Sequence, residues 1–229
     1  MAESTKNAQS TTVARREREK AQRREDILQA AREVFFERGI DHATIDEVAE
    51  QAGVGKGTLY LYFDSKDAIL ANLLLDGLDL LVNELAAAYA PRESISASMR
   101  LLRLAQAYLK FFQNHPPYLR LLLAFDRGGF KESTSDELYA EMLSRSRRGF
   151  EWLVRAFEQG KQDGTLVVHH PNRAAALMWA GVNGVLVLLD HPLRREMIGD
   201  DVESMYRAMV DALIAGLTNA GPARGRVGG

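Results

Sequence analysis

Along this chain of 229 residues, apolar side chains return every three or four positions, and almost nowhere does apolar alternate with polar at period two. Leu166–His169 is the one strand candidate. A helix buries a stripe, whereas a half-buried strand needs an alternating face, so the pattern predicts an all-α fold of about nine helices. Ile27, Ala31, Val34 and Phe35 share one face of a first helix that starts near Arg23 and is stopped by Gly39. Thr44 stands before Ile45, Val48 and Ala49 with Glu47 three residues on, a capping box. Gly53 interrupts that short second helix, and a third short segment runs from Val54 to Phe63. Ser65 caps a long fourth helix that buries Ile69, Leu70, Leu73, Leu74, Leu78 and Leu81.

Beyond it, breaks fall at Pro91, His115-Pro116-Pro117, Gly164-Thr165 and His191-Pro192. They delimit helices from about Glu93 to Asn114, Tyr118 to Phe125, Ser135 to about Lys161, and Pro171 to Leu189. A last helix opens at Asp200-Asp201 and ends near Gly216. Arg127–Ser135, with Gly128-Gly129, reads as a loop. Residues 1–13 are polar and are expected to be disordered, and the Gly-rich tail Gly221–Gly229 to be mobile.

Several classes of function lose their requirements. Without cysteine there is no disulfide scaffold, thiolate metal site or cysteine nucleophile. His42, His115, His169, His170 and His191 show no metal-ligand spacing, and Gly53–Gly57 is too short for a phosphate loop. No metal or cofactor is therefore expected, and no enzyme. Met1–Thr12 has no apolar signal-peptide core, which with the lack of cysteine suggests the cytoplasm. The apolar run Leu177–Leu189 is shorter than the ~20 residues of a membrane span and reads as a buried helix. Net charge is only −2, but Ala14–Arg24 holds six basic residues (Arg15, Arg16, Arg18, Lys20, Arg23, Arg24) against Glu17 and Glu19. This arm is either a minor-groove contact through Arg15, Arg16 or Arg18, or a solvated helix with i,i+4 ion pairs.

Two short helices around a glycine turn are the minimum needed to read a major groove: one helix enters, the other braces it. Thr44 to Gln51 would be the brace and Gly55 to Leu61 the reader. Thr44 offers a hydroxyl and free N–H groups at a helix N-terminus, where a phosphate is favoured. Gly55 and Gly57 permit close backbone approach; Lys56, Thr58 and Tyr60 supply donors, and Leu61 suits a thymine methyl group. Lys66, a cation at a helix N-terminus, makes sense beside a phosphate. The bland alternative is that Tyr60, Tyr62 and Phe63 are core aromatics beside an ordinary kink.

The stretch Arg24–Leu70, and above all "TIDEVAEQAGVGKGTLYLYFDSKDAIL", resembles the DNA-binding domain of the TetR/AcrR family of bacterial repressors. The resemblance covers roughly a fifth of the chain, with over a dozen positions in order. It implies phosphate contacts at Thr44, Tyr60, Tyr62 and Lys66, and base or backbone contacts at Gly55, Lys56, Thr58 and Leu61. Its three-helix core would be Ile27, Ala31, Phe35, Ile45, Val48, Ala49, Val54, Leu59 and Phe63. Many relatives have serine at the place of Gly55, so one backbone contact is in doubt here.

The resemblance further implies a C-terminal helical domain that binds a small effector and dimerises through its last two helices. The expected organisation is a flexible basic arm (1–22), a helix-turn-helix domain (23–68), an effector-binding and dimerisation domain (69–218) and a flexible tail (219–229). Ala176, Ala180 and Gly184 form a small-residue stripe, and Val202, Met205, Met209 and Leu213 an apolar one; both suit a dimer, or packing inside one subunit. Tyr108, Phe112, Leu122, Phe125, Phe150, Leu153, Phe157, Met178, Trp179 and Asn183 line a cavity or are ordinary core. The expected function is a repressor released from a pseudopalindromic operator by a mainly apolar effector. The alternative is a helical interaction module that no longer binds specific DNA.

Overall fold

The computed structural model describes residues 2–90, 92–126 and 134–218. Within them lie ten α-helices and no strand. They are α1 (Ala2–Arg38), α2 (Ile45–Gln51), α3 (Lys56–Tyr60), α4 (Lys66–Tyr89) and α5 (Ala97–Asn114). There follow α6 (Pro116–Asp126), α7 (Asp136–Gln162), α8 (Pro171–Asp190), α9 (Pro192–Ile198) and α10 (Val202–Thr218). The expected break at Pro91, the loop Arg127–Ser135 up to Glu132–Ser133, and the tail 219–229 lie outside the described residues.

Four expectations are corrected. Residues 2–13 are not disordered; they belong to α1. From Ala2 to Arg38 there is no glycine or proline, and the segment before Ile27 is rich in strong helix formers. Once Ile27–Arg38 is packed, the helix elongates backwards without a new nucleation event, supported by Arg15–Glu19 at 3.0 Å and Gln22–Asp26 at 2.9 Å. The fifth helix starts at Ala97 rather than near Glu93, because the Ser96 hydroxyl accepts from the Met99 amide at 3.2 Å and caps it. Leu166–His169 is no strand: Leu166 N–H donates to Gly160 O at the end of α7. The tenth helix, α9, arises where His191-Pro192 was read only as a break; Pro192 opens it and Gly199, at φ +69°, closes it.

The chain divides into two compact units, residues 1–76 with 117–141, and residues 77–116 with 142–229. In the first, α1 lays Ile27, Leu28, Ala31 and Phe35 against α2 (Val48, Ala49), α3 (Leu59), Phe63 and the start of α4 (Ile69, Leu70), all buried. Each such large side chain contributes about 1.5–3 kcal/mol of burial. Ile45 and Val54, expected in this core, are only half-buried. Arg24 and Arg32 tie α1 to α4 through Asn72 (2.6 Å) and Asp76 (2.6 Å).

In the second unit α8 packs on α9 and α10, and α10 on α5. A Cβ on Gly181 would meet Met209 Sδ at 2.8 Å, so α8 and α10 approach closely there. Arg100 is the buried charged residue of this unit among those described, 6% exposed. Among the described residues no carboxylate pairs with it. Its guanidinium donates to the carbonyls of Tyr89, of Ala90 (2.9 Å) and of Glu93 (2.6 Å) and to Gln159 Oε1 (2.8 Å), and lies over the Tyr89 ring. These acceptors include carbonyls just at the C-terminal end of α4, where the helix dipole favours a cation.

Candidate nucleic-acid interface

Thr44 is the N-cap of α2 and the capping box forms as its spacing predicts. The Thr44 hydroxyl accepts from the Glu47 amide at 3.3 Å, and the Glu47 carboxylate accepts from the Thr44 amide at 2.8 Å. The Thr44 amide, and after it the Thr44 hydroxyl that donates to the same carboxylate at 3.1 Å, hold the Glu47 carboxyl below its ordinary range. Arg38, at the end of α1, pairs with the same carboxylate and so ties α1 to the cap.

Gly53, at φ +63°, makes the turn that a side chain would strain, and Gly55 caps α3 in extended conformation. No side chain caps α3, as expected from a glycine in place of a hydroxyl residue. Within α3 the faces separate cleanly. Leu59 is fully buried, whereas Gly55, Lys56, Gly57, Thr58, Tyr60 and Leu61 are exposed, Leu61 to 78%. Tyr62 is half-buried and Phe63 buried, so of the three aromatics only Phe63 is a core residue.

Two lysines have partners that the residue pattern did not reveal. Lys56 pairs with Asp46 at 2.8 Å, and that hydrogen bond and charge raise its pKa. Lys66 donates to the carbonyls of Ile40 (2.6 Å) and Ala43 (2.7 Å) and lies over the Phe35 ring. It thus closes the α1–α2 connection, and one N–H of its ammonium remains beyond those two bonds. Neither partner stands at a helical spacing from its lysine, so periodicity carried no signal of them.

The residues expected around an effector are dispersed in character. Tyr108, Phe112, Phe157 and Met178 are buried, Leu122, Phe125, Phe150, Leu153 and Asn183 half-buried, and Trp179 is 46% exposed. Within the second unit Tyr108 and Phe112 meet edge-on at 4.9 Å, and the Tyr108 hydroxyl donates to Asn183 Oδ1 at 2.9 Å. Leu122 and Phe125 belong to the first unit. A groove of about 240 Å³ between α5 and α10, floored by Leu109, Tyr206 and Val210, contains none of these residues.

For the expected dimer residues, Ala176, Ala180 and Gly184 are exposed along α8, joined by Leu177 (60%) and Val187. The helix spans Pro171–Asp190, one residue past the expected Leu189, but it is less buried than expected: its most apolar stretch has mean hydropathy 1.3, and only 39% of that stretch is buried. By length and composition it reaches a membrane span, but its other face packs on α10 within the chain. Val202, Met205, Met209 and Leu213 are half-buried, Met209 against Gly181; the open face of α10 carries Ala208 and Ala212 instead.

Residues 27–73 match the model of the tetR family of bacterial regulatory proteins. The regulator YvdT of Bacillus subtilis is 49% identical over 59 residues, 24% of this chain and 30% of that protein. The transcriptional repressor KstR2 of Mycolicibacterium smegmatis is 28% identical over 131 residues, 54% of this chain and 64% of its own length. The chain thus spans less than two thirds of either relative. In fold it is similar to the transcriptional regulator FadR of Bacillus subtilis solved with stearoyl-CoA, at a TM-score of 0.64 and 19% identity, covering 84% of this chain and 98% of that one. The matched segment, residues 27–73, thus folds as a helix-turn-helix on buried Ile27, Val48 and Leu59, and it is this segment that is similar to the tetR family.

Proposed function

We propose that this chain is a DNA-binding transcriptional regulator, a repressor that a small, mainly apolar effector releases from a pseudopalindromic operator. The observation that carries the reading is the sorting of Gly55–Leu61: Leu59 holds the helix to the core, and the rest face solvent with donors (Lys56, Thr58, Tyr60), bare backbone (Gly55, Gly57) or an apolar tip (Leu61). Such a helix enters a major groove, with Lys56, Thr58, Tyr60 and Leu61 toward bases and phosphates, and Thr44, Tyr62 and Lys66 on the backbone. Binding rather than turnover is its work, in the cytoplasm.

The exposed apolar face of α8 supports a homodimer, since a solvated stripe of Ala176, Leu177, Ala180, Gly184 and Val187 is stabilised by a second copy. Two-fold symmetry then sets the recognition helices about 34–36 Å apart, one DNA turn. For the effector, the aromatic cluster around Tyr108 and Phe112 supports a ligand with a large apolar part, and the stearoyl-CoA bound by the similar FadR supports the same class. Release follows only if the effector binds the state whose recognition helices are mis-spaced better than the state that fits DNA.

The test is selection of genomic fragments by the purified full chain, followed by titration of the enriched duplex. One pseudopalindrome bound in a salt-dependent way is the expected result. Equal retention of all fragments would instead favour a helical module without specific DNA binding.

A further inference from the structure

We infer that the N-terminal part of α1 is a second DNA contact, a rigid basic helix that lies on phosphates flanking the operator half-site; the inference rests on the regulator reading above. Arg16, Lys20 and Arg23 stand at i, i+4 and i+7, within about 60° of one another around a helix of 3.6 residues per turn. All three are exposed, and none pairs with a carboxylate among the described residues. Of the acids three or four residues from a member of the stripe (Glu17, Glu19 and Asp26), Glu19 is occupied by Arg15 at 3.0 Å and Asp26 by Gln22 at 2.9 Å. The stripe is therefore a row of free cations, which is what a phosphate row attracts.

Its position joins it to the candidate interface. Arg24, the next residue, lies over the Phe63 ring at 4.9 Å from the centroid and bonds Asn72. Phe63 directly follows Tyr60, Leu61 and Tyr62, so α1 passes beside the end of the recognition segment at Arg24. From Arg24 back to Ala14 the helix extends about 15 Å, the length of four or five base pairs of backbone.

The helical state also decides how the arm binds. A helix about 10–12 Å across does not enter a minor groove ~6 Å wide, so insertion as an extended arm is excluded and the cations stay on the phosphates. Contacts of this kind add affinity and salt dependence without sequence preference. A lipid surface is the poorer partner, because residues 13–24 present no apolar face, with Val13 as the one large apolar side chain.

The experiment titrates the full chain and its R16A/K20A/R23A variant against the selected operator in two lengths, trimmed to the pseudopalindrome or flanked by about ten base pairs on each side. The variant is expected to lose at least about tenfold in affinity on the flanked duplex near ~0.1 M salt and less than about twofold on the trimmed one. Its log–log salt slope should fall by about 0.9 for each phosphate that is no longer neutralised. Glu19→Ala, which frees Arg15, is expected to tighten binding to the flanked duplex alone. Unchanged binding of the triple variant to the flanked duplex, or an equal loss on both duplexes, overturns the inference. Failure of the unaltered chain to hold either duplex marks the regulator reading itself as the fault, and removes the inference with it.

Discussion

The recognition segment and the aromatic cluster of α5, α7 and α8 were both singled out by residue type, yet the structure treats them in opposite ways. Around α3 the residues named as contacts are exposed and Leu59 is buried, so each side chain has one job. In the cluster, residues named as lining a cavity are largely in the interior or already partnered: Phe157 is 0% exposed, and Tyr108 bonds Asn183. An ordered motif specifies position by position, because spacing on a short helix sets which face each residue takes. A collection of aromatics specifies only that apolar surface is hidden, and core and cavity wall hide it equally well.

That contrast breaks most directly at Phe157. If it is packed core, Phe157→Ala should cost about 3–5 kcal/mol in urea denaturation. A loss under about 1 kcal/mol would place it on the wall of a cavity and restore the likeness between the two regions. Tyr108→Phe is the next largest. It leaves Asn183 Oδ1 without that donor, and since Asn183 is half-buried the expected loss is about 1 kcal/mol in the same assay. A gain in stability would mean that the hydroxyl is kept for a ligand rather than for the fold.

Much of the fold was legible for the same reason that α3 was. Caps at Thr44, Ser65 and Ser135 are local chemistry, and each forms with the hydrogen bond its residue type allows. What escaped was non-local. Arg100 finds its acceptors at Tyr89, Ala90, Glu93 and Gln159, a set assembled only once α4, α5 and α7 have met. The two carbonyls that Lys66 donates to belong to the α1–α2 connection, so the sequence shows only its place at a helix N-terminus. The helical state of residues 2–22 was hidden because those residues lack an apolar stripe; their order comes from propensity and continuity with a packed helix. At α8 the length of the apolar run Leu177–Leu189 suggests a buried helix, but such a run says only that apolar faces need cover, not that one chain supplies it.

Lys56 sharpens the comparison from the other side. Its bond to Asp46 joins side chains that are 54% and 66% exposed, where water and salt screen the pair. Lys56→Ala should therefore change the urea midpoint little, while operator affinity falls about tenfold and the salt slope drops by about 1. Unaltered affinity would remove Lys56 from the interface and leave it as a surface ion pair.

The smallest expected effect is one of acid. Glu47 in the first unit and Asp201 in the second both cap a helix, and both have a folded-state pKa lowered by the amides they accept from. A carboxyl whose pKa is lower folded than unfolded adds stability that is full above the unfolded value, near 4 for such groups. That stability is lost as pH falls through the folded value. Each cap should thus weaken below about pH 4, and substitution should flatten the acid limb of its own unit. Trp152 and Trp179 lie in the second unit, so their emission follows that unit, whereas far-ultraviolet circular dichroism follows both. Glu47→Gln is expected to flatten the acid-side fall of the dichroism signal and leave the tryptophan curve unchanged; Asp201→Asn should flatten both. If Glu47→Gln also shifts the tryptophan curve, the two units melt as one on acidification, and the contrast drawn between them holds for residues but not for stability.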